Sequence, residues 1–194
     1  MPSTVAAPSL SQRLLETGAL HTGHFELSSG LHSGEYFQCA RLLQHPVQAT
    51  WACRELADRL PVAVDVVVGP ALGGVIVAYE MARALGVRAL FTERKDGVMQ
   101  LRRGFELAPG ERVLLVEDVV TTGLSAREAA ACVEALGGQV VAFASLVDRS
   151  GGAVEFPAPY HALLSLRVEA HRPDECPHCQ EGMPLVKPGS RPQC

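Results

Sequence analysis

Apolar residues fall into short blocks separated by polar, glycine-punctuated segments, and the period within each block indicates its element. The stretches "VAVDVVVGP" (62–70), "VRALFTE" (87–93), "RVLLVED" (112–118) and "QVVAFASLVD" (139–148) are near-continuous apolar runs rich in β-branched residues. That pattern predicts strands buried on both faces. Between them, "GGVIVAYEMARALG" (73–86) and "LSAREAAACVEALGG" (124–138) read as helices closed by glycine. Strands alternating with helices predict right-handed crossovers and an α/β fold with a mostly parallel central sheet flanked by helices.

The N-terminal part is patterned differently. "PSLSQRLLET" (8–17) predicts a short helix ahead of Gly18, and "GHFELSSGLHSGEYFQC" (23–39) predicts two short strands in a turn-rich segment. "PVQATWACRELADRL" (46–60) opens on a proline suited to a first helical turn and places Val47, Trp51, Leu56 and Leu60 near helical spacing. "DGVMQLRRGFELAPGE" (96–111) is polar and glycine-rich, a mobile loop or hairpin. From Asp174 the chain is rich in Pro, Gly and Cys, and it reads as irregular.

Composition narrows the class. With 194 residues, 47% hydrophobic and 20% charged, the chain suits one globular domain. A net charge of −4 argues against a broad nucleic-acid surface while leaving room for a local anion site. The start "MPSTVAAPSL" lacks a signal-peptide pattern, and the uncharged stretch 66–79 is too short to span a bilayer. The six cysteines, at 39, 53, 132, 176, 179 and 194, are scattered without the spacing of a disulfide framework. A reduced, cytoplasmic protein without membrane or nucleic-acid partners is expected. Of 17 basic residues only Lys95 and Lys187 are lysines, so Lys95 in a polar loop stands out.

The chemistry concentrates where one strand ends. In "VLLVEDVVTTGLS" (113–125) two carboxylates, Glu117 and Asp118, close an apolar strand, and Thr121, Thr122, Gly123 and Ser125 lead into a helix N-terminus. Ligands of open α/β sheets bind beyond the carboxyl ends of strands. Free amides and hydroxyls at such a helix start favour a phosphate. Carboxylates repel phosphate, so the acids need another partner, either a metal or vicinal hydroxyls. A phosphorylated sugar satisfies both halves, the alternative being that Glu117 and Asp118 merely cap the helix or sit in solvent.

This stretch closely resembles the phosphoribosyl-pyrophosphate (PRPP) motif of type I phosphoribosyltransferases. The remaining segments resemble, more narrowly, the orotate phosphoribosyltransferases: "GHFELSSGLHSGEYFQC" their N-terminal hood, "VVVGPALGGVIVAYEMA" (66–82) their pyrophosphate-loop region, "FTERKDGVMQLRRGF" (91–105) their flexible loop and "SLVDRSGG" (145–152) their arginine-bearing segment. The resemblance implies a type I phosphoribosyltransferase domain over 1–173, with a small hood mainly at 20–42 and a core at 60–170, followed by a tail at 174–194. It implies transfer of phosphoribosyl from PRPP to orotate with Mg2+ held mainly by substrate, in a homodimer with shared active sites. Glu117 and Asp118 would hold the ribose hydroxyls and Val119, Val120, Thr121, Thr122, Gly123, Leu124 and Ser125 the 5-phosphate. Arg149 would pair with the orotate carboxylate, Thr121 would lie near orotate, and Tyr36 and Phe37 would lie against the pyrimidine, the alternative for the aromatic pair being core packing. Arg94 and Lys95 would reach the neighbouring subunit's site, with Lys95, Asp118 and Glu117 as the catalytic set. Residues 69–74 would shape the pyrophosphate turn.

Two segments depart from the family's pattern. Ser28 stands in "FELSSG", and Leu72 with Gly73 in "GPALGG", where that pattern carries a lysine and a Tyr-Lys pair. Arg41, Arg102 and Arg103 are the candidate replacements for the missing charge. A purine phosphoribosyltransferase is the second reading, although an arginine for a carboxylate has no obvious use with a purine. A non-catalytic PRPP sensor is the third, although the residues ahead of the hood are too few for a DNA-binding domain. In the tail, "CPHC" (176–179), with His171 and His178 nearby and Cys194 beyond, has zinc-ligand spacing. One such pair is half a site, so a structural tail is preferred.

Overall fold

The computed structural model describes residues 8–27 and 29–188; Ser28 and Cys194 lie outside them. Helix α1 (Leu10–Glu16) starts at Ser9, whose hydroxyl accepts from the Gln12 amide while the Gln12 side chain accepts from the Ser9 amide, and it buries Leu10 and Leu14. Strands β1 (Leu20–Glu26) and β2 (His32–Phe37) pair antiparallel, Leu20 opposite Phe37 and Glu26 opposite His32. A one-turn helix, α2 (Ala40–Leu43), precedes α3 (Pro46–Ala57), which carries proline in its first turn as expected.

The buried sheet follows in β3 (Val66–Pro70), α4 (Gly73–Leu85), β4 (Arg88–Lys95), β5 (Val98–Leu101), β6 (Arg112–Val120), α5 (Leu124–Ala135), β7 (Gln139–Asp148) and β8 (Tyr160–Ser165). Its order is β5-β4-β3-β6-β7-β8, parallel throughout except for the antiparallel edge strand β5. The period of two divides each strand between two cores. Val67, Leu114, Val116, Ala142 and Leu146 join the side formed with α1 to α4, and Val66, Val68, Val113, Leu115 and Phe143 pack under α5. This double burial explains why those strands read as unbroken apolar runs.

The elements differ from expectation in three places, and segment 96–111 takes the hairpin, one of its two expected forms. β3 begins at Val66 rather than Val62, because Asp65 turns its carboxylate onto the Arg112 amide (2.9 Å) at the head of β6. Segment 96–111 is in part a tight hairpin: Asp96 and Gly97 both have positive φ, 53° and 81°, the two-residue Asp-Gly turn that suits twisted strands. β8 was not announced by the apolar pattern. The tail is not irregular. Just ahead of it β9 (Ala170–His171) pairs with β2; within it α6 (Pro177–Gln180) forms, and Val186 lies beside Phe25 of β1 in a parallel bridge.

The turn between β3 and α4 is packed to contact distance. A Cβ on Gly69 would lie 2.3 Å from the Gly74 carbonyl oxygen, and one on Gly74 would lie 3.0 Å from the Val116 carbonyl oxygen. Both obstacles are backbone, which a side-chain rotation cannot relieve. Gly69→Ala is therefore expected to cost roughly 1–3 kcal/mol of stability, read as a lowered midpoint in thermal or urea unfolding. An unchanged midpoint would contradict this packing.

Candidate active site

The carboxyl end of β6 carries Glu117 and Asp118 between the turn before α4 on one side and β7 on the other. Both side chains are largely withdrawn from solvent, and the Glu117 Oε1 atom is buried with no hydrogen-bond partner among the described residues. Burial, followed by the charge of Asp118, pushes the Glu117 carboxyl from its ordinary value of 4.5 up to about 8. Burial also raises Asp118, although backbone amides at Val119 and at Asp118 itself act against it. A buried acceptor without a donor is costly, so this carboxylate is built to receive a group the chain does not supply.

Asp118 is confined by Gly73. A Cβ at position 73 would fall 2.3 Å from Asp118 Oδ1, so any side chain there must displace the carboxylate. The glycine that replaces the family pattern's lysine is thus fitted to Asp118 where it stands. Leu72 beside it is 87% exposed. On the other side, the Cys39 thiol donates to the Asp118 carbonyl at 4.0 Å, and burial, with Asp118 second, raises that thiol's pKa well above its ordinary range.

Behind the acids the chain turns into α5. Gly123 caps the helix at φ 73°, and a Cβ there would lie 2.9 Å from both Phe156 and Val154, so conformation and space together require glycine. Thr121, Thr122 and Leu124 are exposed and Ser125 is half-buried. The Leu124 amide donates to Thr122 Oγ1 at 3.4 Å, and the amides of Ser125 and Ala126 in the first turn lack intrahelical acceptors. Arg127, one turn on, holds this loop in place by donating to the Thr122 carbonyl (2.7 Å) and the Glu155 carbonyl (2.7 Å) over the Phe156 ring.

At the end of β7, the Arg149 amide donates to the Val120 carbonyl at 2.9 Å, which ties this arginine to the end of β6. Its guanidinium lies 5.6 Å from the Phe37 ring centroid, and its Nε is buried without a partner among the described residues. Burial lowers the Arg149 pKa, against the attraction of Glu35, Tyr36 and Cys39. Phe37 therefore meets Arg149 from a buried position in the core. Tyr36, the next residue on β2, packs its ring against Phe25 (5.8 Å) and donates to Gln38 Oε1 at 2.9 Å. The segment after Arg149 is fixed by Asp148. Burial opposes its ionisation, but Ser150 N and Oγ, Gly152 N and Ser165 Oγ all donate to it within 2.8 Å and hold its pKa below the ordinary value.

The basic residues of the β4–β5 hairpin are apart from this centre. Arg94 pairs with Glu128 on α5, and Arg102 and Arg103 both pair with Glu93. The Lys95 ammonium has no ion pair among the described residues. The Arg41 guanidinium lies over Gly18. None of these basic groups contacts Glu117 or Asp118 within this chain.

Residues 48–171 match the family model of the phosphoribosyl transferase domain. Among curated relatives, an orotate phosphoribosyltransferase of Carboxydothermus hydrogenoformans is 55% identical over 185 residues, covering 94% of this chain and 97% of that protein. The chain belongs to the orotate phosphoribosyltransferase family. Another member, from Pelotomaculum thermopropionicum, is 56% identical over 91% of this chain and 93% of its own length. The crystal structure of orotate phosphoribosyltransferase from Aeropyrum pernix superposes with a TM-score of 0.71 at 28% identity, covering 81% of this chain and 93% of that one.

Within the family frame, Arg127 and Asp148 are the residues that the motif reading left without a role. Asp148 had a local signal in "DRSGG", an acidic residue ahead of Ser-Gly-Gly whose carboxylate can collect the next amides. Arg127 had none, because its acceptors are backbone carbonyls.

The raised Glu117 carboxyl makes stability depend on pH. Between 4.5 and about 8 the folded chain keeps a proton that the unfolded chain releases, so stability falls as pH rises through that window. Glu117→Gln should flatten this limb and make the ligand-free protein more stable than the parent above pH ~8, by a few kcal/mol on the order given by such a shift. Unfolding midpoints across pH measure it, and parallel curves for the two proteins would refute the assignment.

Proposed function

We propose that the protein transfers the 5-phosphoribosyl group from PRPP to orotate, giving orotidine 5′-monophosphate and pyrophosphate in pyrimidine nucleotide synthesis in the cytoplasm. One observation carries the reading: a buried carboxylate oxygen on Glu117 and a buried guanidinium Nε on Arg149, both without a hydrogen-bond partner among the described residues, stand at the ends of adjacent strands with a helix start between them. Acceptors for sugar hydroxyls, an anion cradle and a cation for a planar carboxylate thus converge, as this pair of substrates requires.

Glu117 and Asp118 accept hydrogen bonds from the ribose 2- and 3-hydroxyls. The C1–O bond to pyrophosphate breaks while the orotate ring nitrogen approaches C1, and the ring passes through an oxocarbenium-like state. Acidic oxygens held beside it stabilise the positive charge it develops, and the cost of desolvating them is met in the folded chain before substrate arrives. Thr121 to Ser125 hold the 5-phosphate on amides and hydroxyls. Arg149, kept in place by Asp148 and Val120, aligns orotate through its carboxylate. Orotate reacts as an already ionised ring, so no general base is assigned.

Mg2+ fits this centre. Among the described residues no third His, Cys, Asp or Glu joins the acid pair, and a hard cation that keeps water and substrate oxygens needs no larger protein cage. Bound with PRPP, it supplies charge neutralisation on the leaving pyrophosphate. A homodimer is supported by α4 and its approach, where Leu72, Ile76 and Tyr79 form one stripe beside Val47, exposed by 87%, 45%, 64% and 79%. Lys95 then serves the partner's site.

Asp118→Asn should leave the fold intact and lower turnover on the order of 10²–10³-fold, measured as pyrophosphate release with orotate. Near-normal turnover would remove the sugar-holding role, and release with adenine or hypoxanthine in place of orotate would overturn the substrate assignment. Mixing Lys95→Ala with Arg149→Ala subunits should restore a fraction of activity that neither variant has alone. Absence of any recovery would count against sharing between subunits.

A further inference from the structure

The tail reaches back to the hood through four side chains that the proposed reaction does not use. His24 of β1, His32 of β2 and Cys176 are buried, 3%, 5% and 0% exposed, and Cys179 closes the group at the surface. His24 Nε2 lies 3.0 Å from His32 Nδ1, 3.5 Å from Cys176 Sγ and 3.6 Å from Cys179 Sγ, and Cys179 Sγ lies 3.2 Å from His32 Nδ1. All four ligand atoms fall within 4.8 Å of one another.

Hydrogen bonding alone does not account for this convergence. His24 Nδ1 is 2.9 Å from the Met183 carbonyl oxygen, which can only accept, so Nδ1 carries the proton. The neutral ring then has a single lone pair, at Nε2. Three groups approach that nitrogen, His32 Nδ1 and two thiols, and one lone pair in the ring plane serves one donor well. A cation at the centre removes the conflict, because each of the four atoms then points its own lone pair inward. Bonds of zinc to nitrogen and sulfur set tetrahedral edges of about 3.3–3.8 Å, close to the four separations above.

We propose that His24 Nε2, His32 Nδ1, Cys176 Sγ and Cys179 Sγ bind one zinc ion as a closed structural site. Two imidazoles and two thiolates are the borderline-soft, four-coordinate set that zinc favours, and no fourth position is left for water or substrate. The Met183 carbonyl provides the outer hydrogen bond that fixes the His24 tautomer. Cys176 precedes α6 and Cys179 lies within it, so the spacing of three along the first turn directs both sulfurs to one side. His171 and His178, the histidines nearest the cysteines in sequence, are not in the cluster. His171 stands opposite His32 across the β2–β9 ladder, and the His178 ring is tilted against the His24 ring with centroids 5.5 Å apart. The ion joins hood strands β1 and β2 to residues 176–183, and β2 is the strand that delivers Phe37 to Arg149.

The full chain, purified without a metal-affinity step, is expected to hold about one zinc per chain by elemental analysis. The zinc content should fall at least about tenfold in the double variant Cys176→Ser, Cys179→Ser and stay at one in His178→Ala. Protein produced with cobalt should show tetrahedral ligand-field bands together with thiolate-to-cobalt charge-transfer bands. Native chain that is metal-free with reduced thiols overturns the proposal, as does zinc retained undiminished by the double variant. If the double variant does not fold, the cobalt spectrum of the native chain decides: thiolate bands support the site, and their absence overturns it. These readouts are independent of enzymatic activity.

Discussion

The site depends on how closely the turn after β3 is pressed onto the end of β6. Gly69 and Gly74 touch backbone to backbone, Gly74 meets the Val116 carbonyl, and Gly73 leaves no room for a Cβ beside the Asp118 carboxylate. The turn comes this close because glycine stands at each point of contact, 69, 73 and 74, while the Leu72 side chain points to solvent. The acid pair is partly buried at this contact, and burial is the first cause of the raised pKa of both acids. Packing of three glycines is thereby converted into electrostatics: the fold holds carboxylates in a state they would leave in water, and a ligand that donates hydrogen bonds to them recovers part of the cost.

The second arm of the site follows from β7. Val120 fixes the Arg149 backbone, Asp148 gathers the loop behind it, and Phe37 from the hood lies under the guanidinium. The arginine is therefore held by three separate elements, and among the described residues no carboxylate forms an ion pair with it, Glu35 of β2 attracting it from farther off. The hood contributes its apolar ring and the parallel sheet contributes the charge, so this arm of the site is assembled where the two sheets meet.

Much of this was legible along the chain, because the informative signals were local. Val66–Val68 and Val113–Val116 are apolar on both strand faces, and Glu117-Asp118 followed by Thr-Thr-Gly joins a strand end to a helix start within a few residues. What stayed hidden depends on distant partners. "YHALLS" of β8 has few β-branched residues and follows a proline-rich stretch, and it is a strand because β7 offers it a free edge. Arg127 acts on carbonyls, which carry no sequence identity. Cys176 meets His24 across 152 residues, so "CPHC" viewed alone was half a constellation, and its neighbouring histidines were the wrong ones. The adjacent aromatics at 36 and 37 divide between the two faces of β2: Phe37 has the Arg149 guanidinium over its ring, and Tyr36 packs against Phe25.

The bridge between Val186 and Phe25 has a consequence for colloidal behaviour. β1 is the outer strand of the three-stranded sheet, and a bare outer strand presents unpaired amides and carbonyls to any other extended chain. Here the Glu26 amide donates to the Val186 carbonyl at 2.8 Å, and the Val186 amide donates to the His24 carbonyl at 2.9 Å. The Lys187 ammonium adds a charge at the same border, 2.6 Å from Glu26 Oε1. The tail thus occupies the place where a second molecule would add a strand, and it guards the hood against edge-to-edge aggregation.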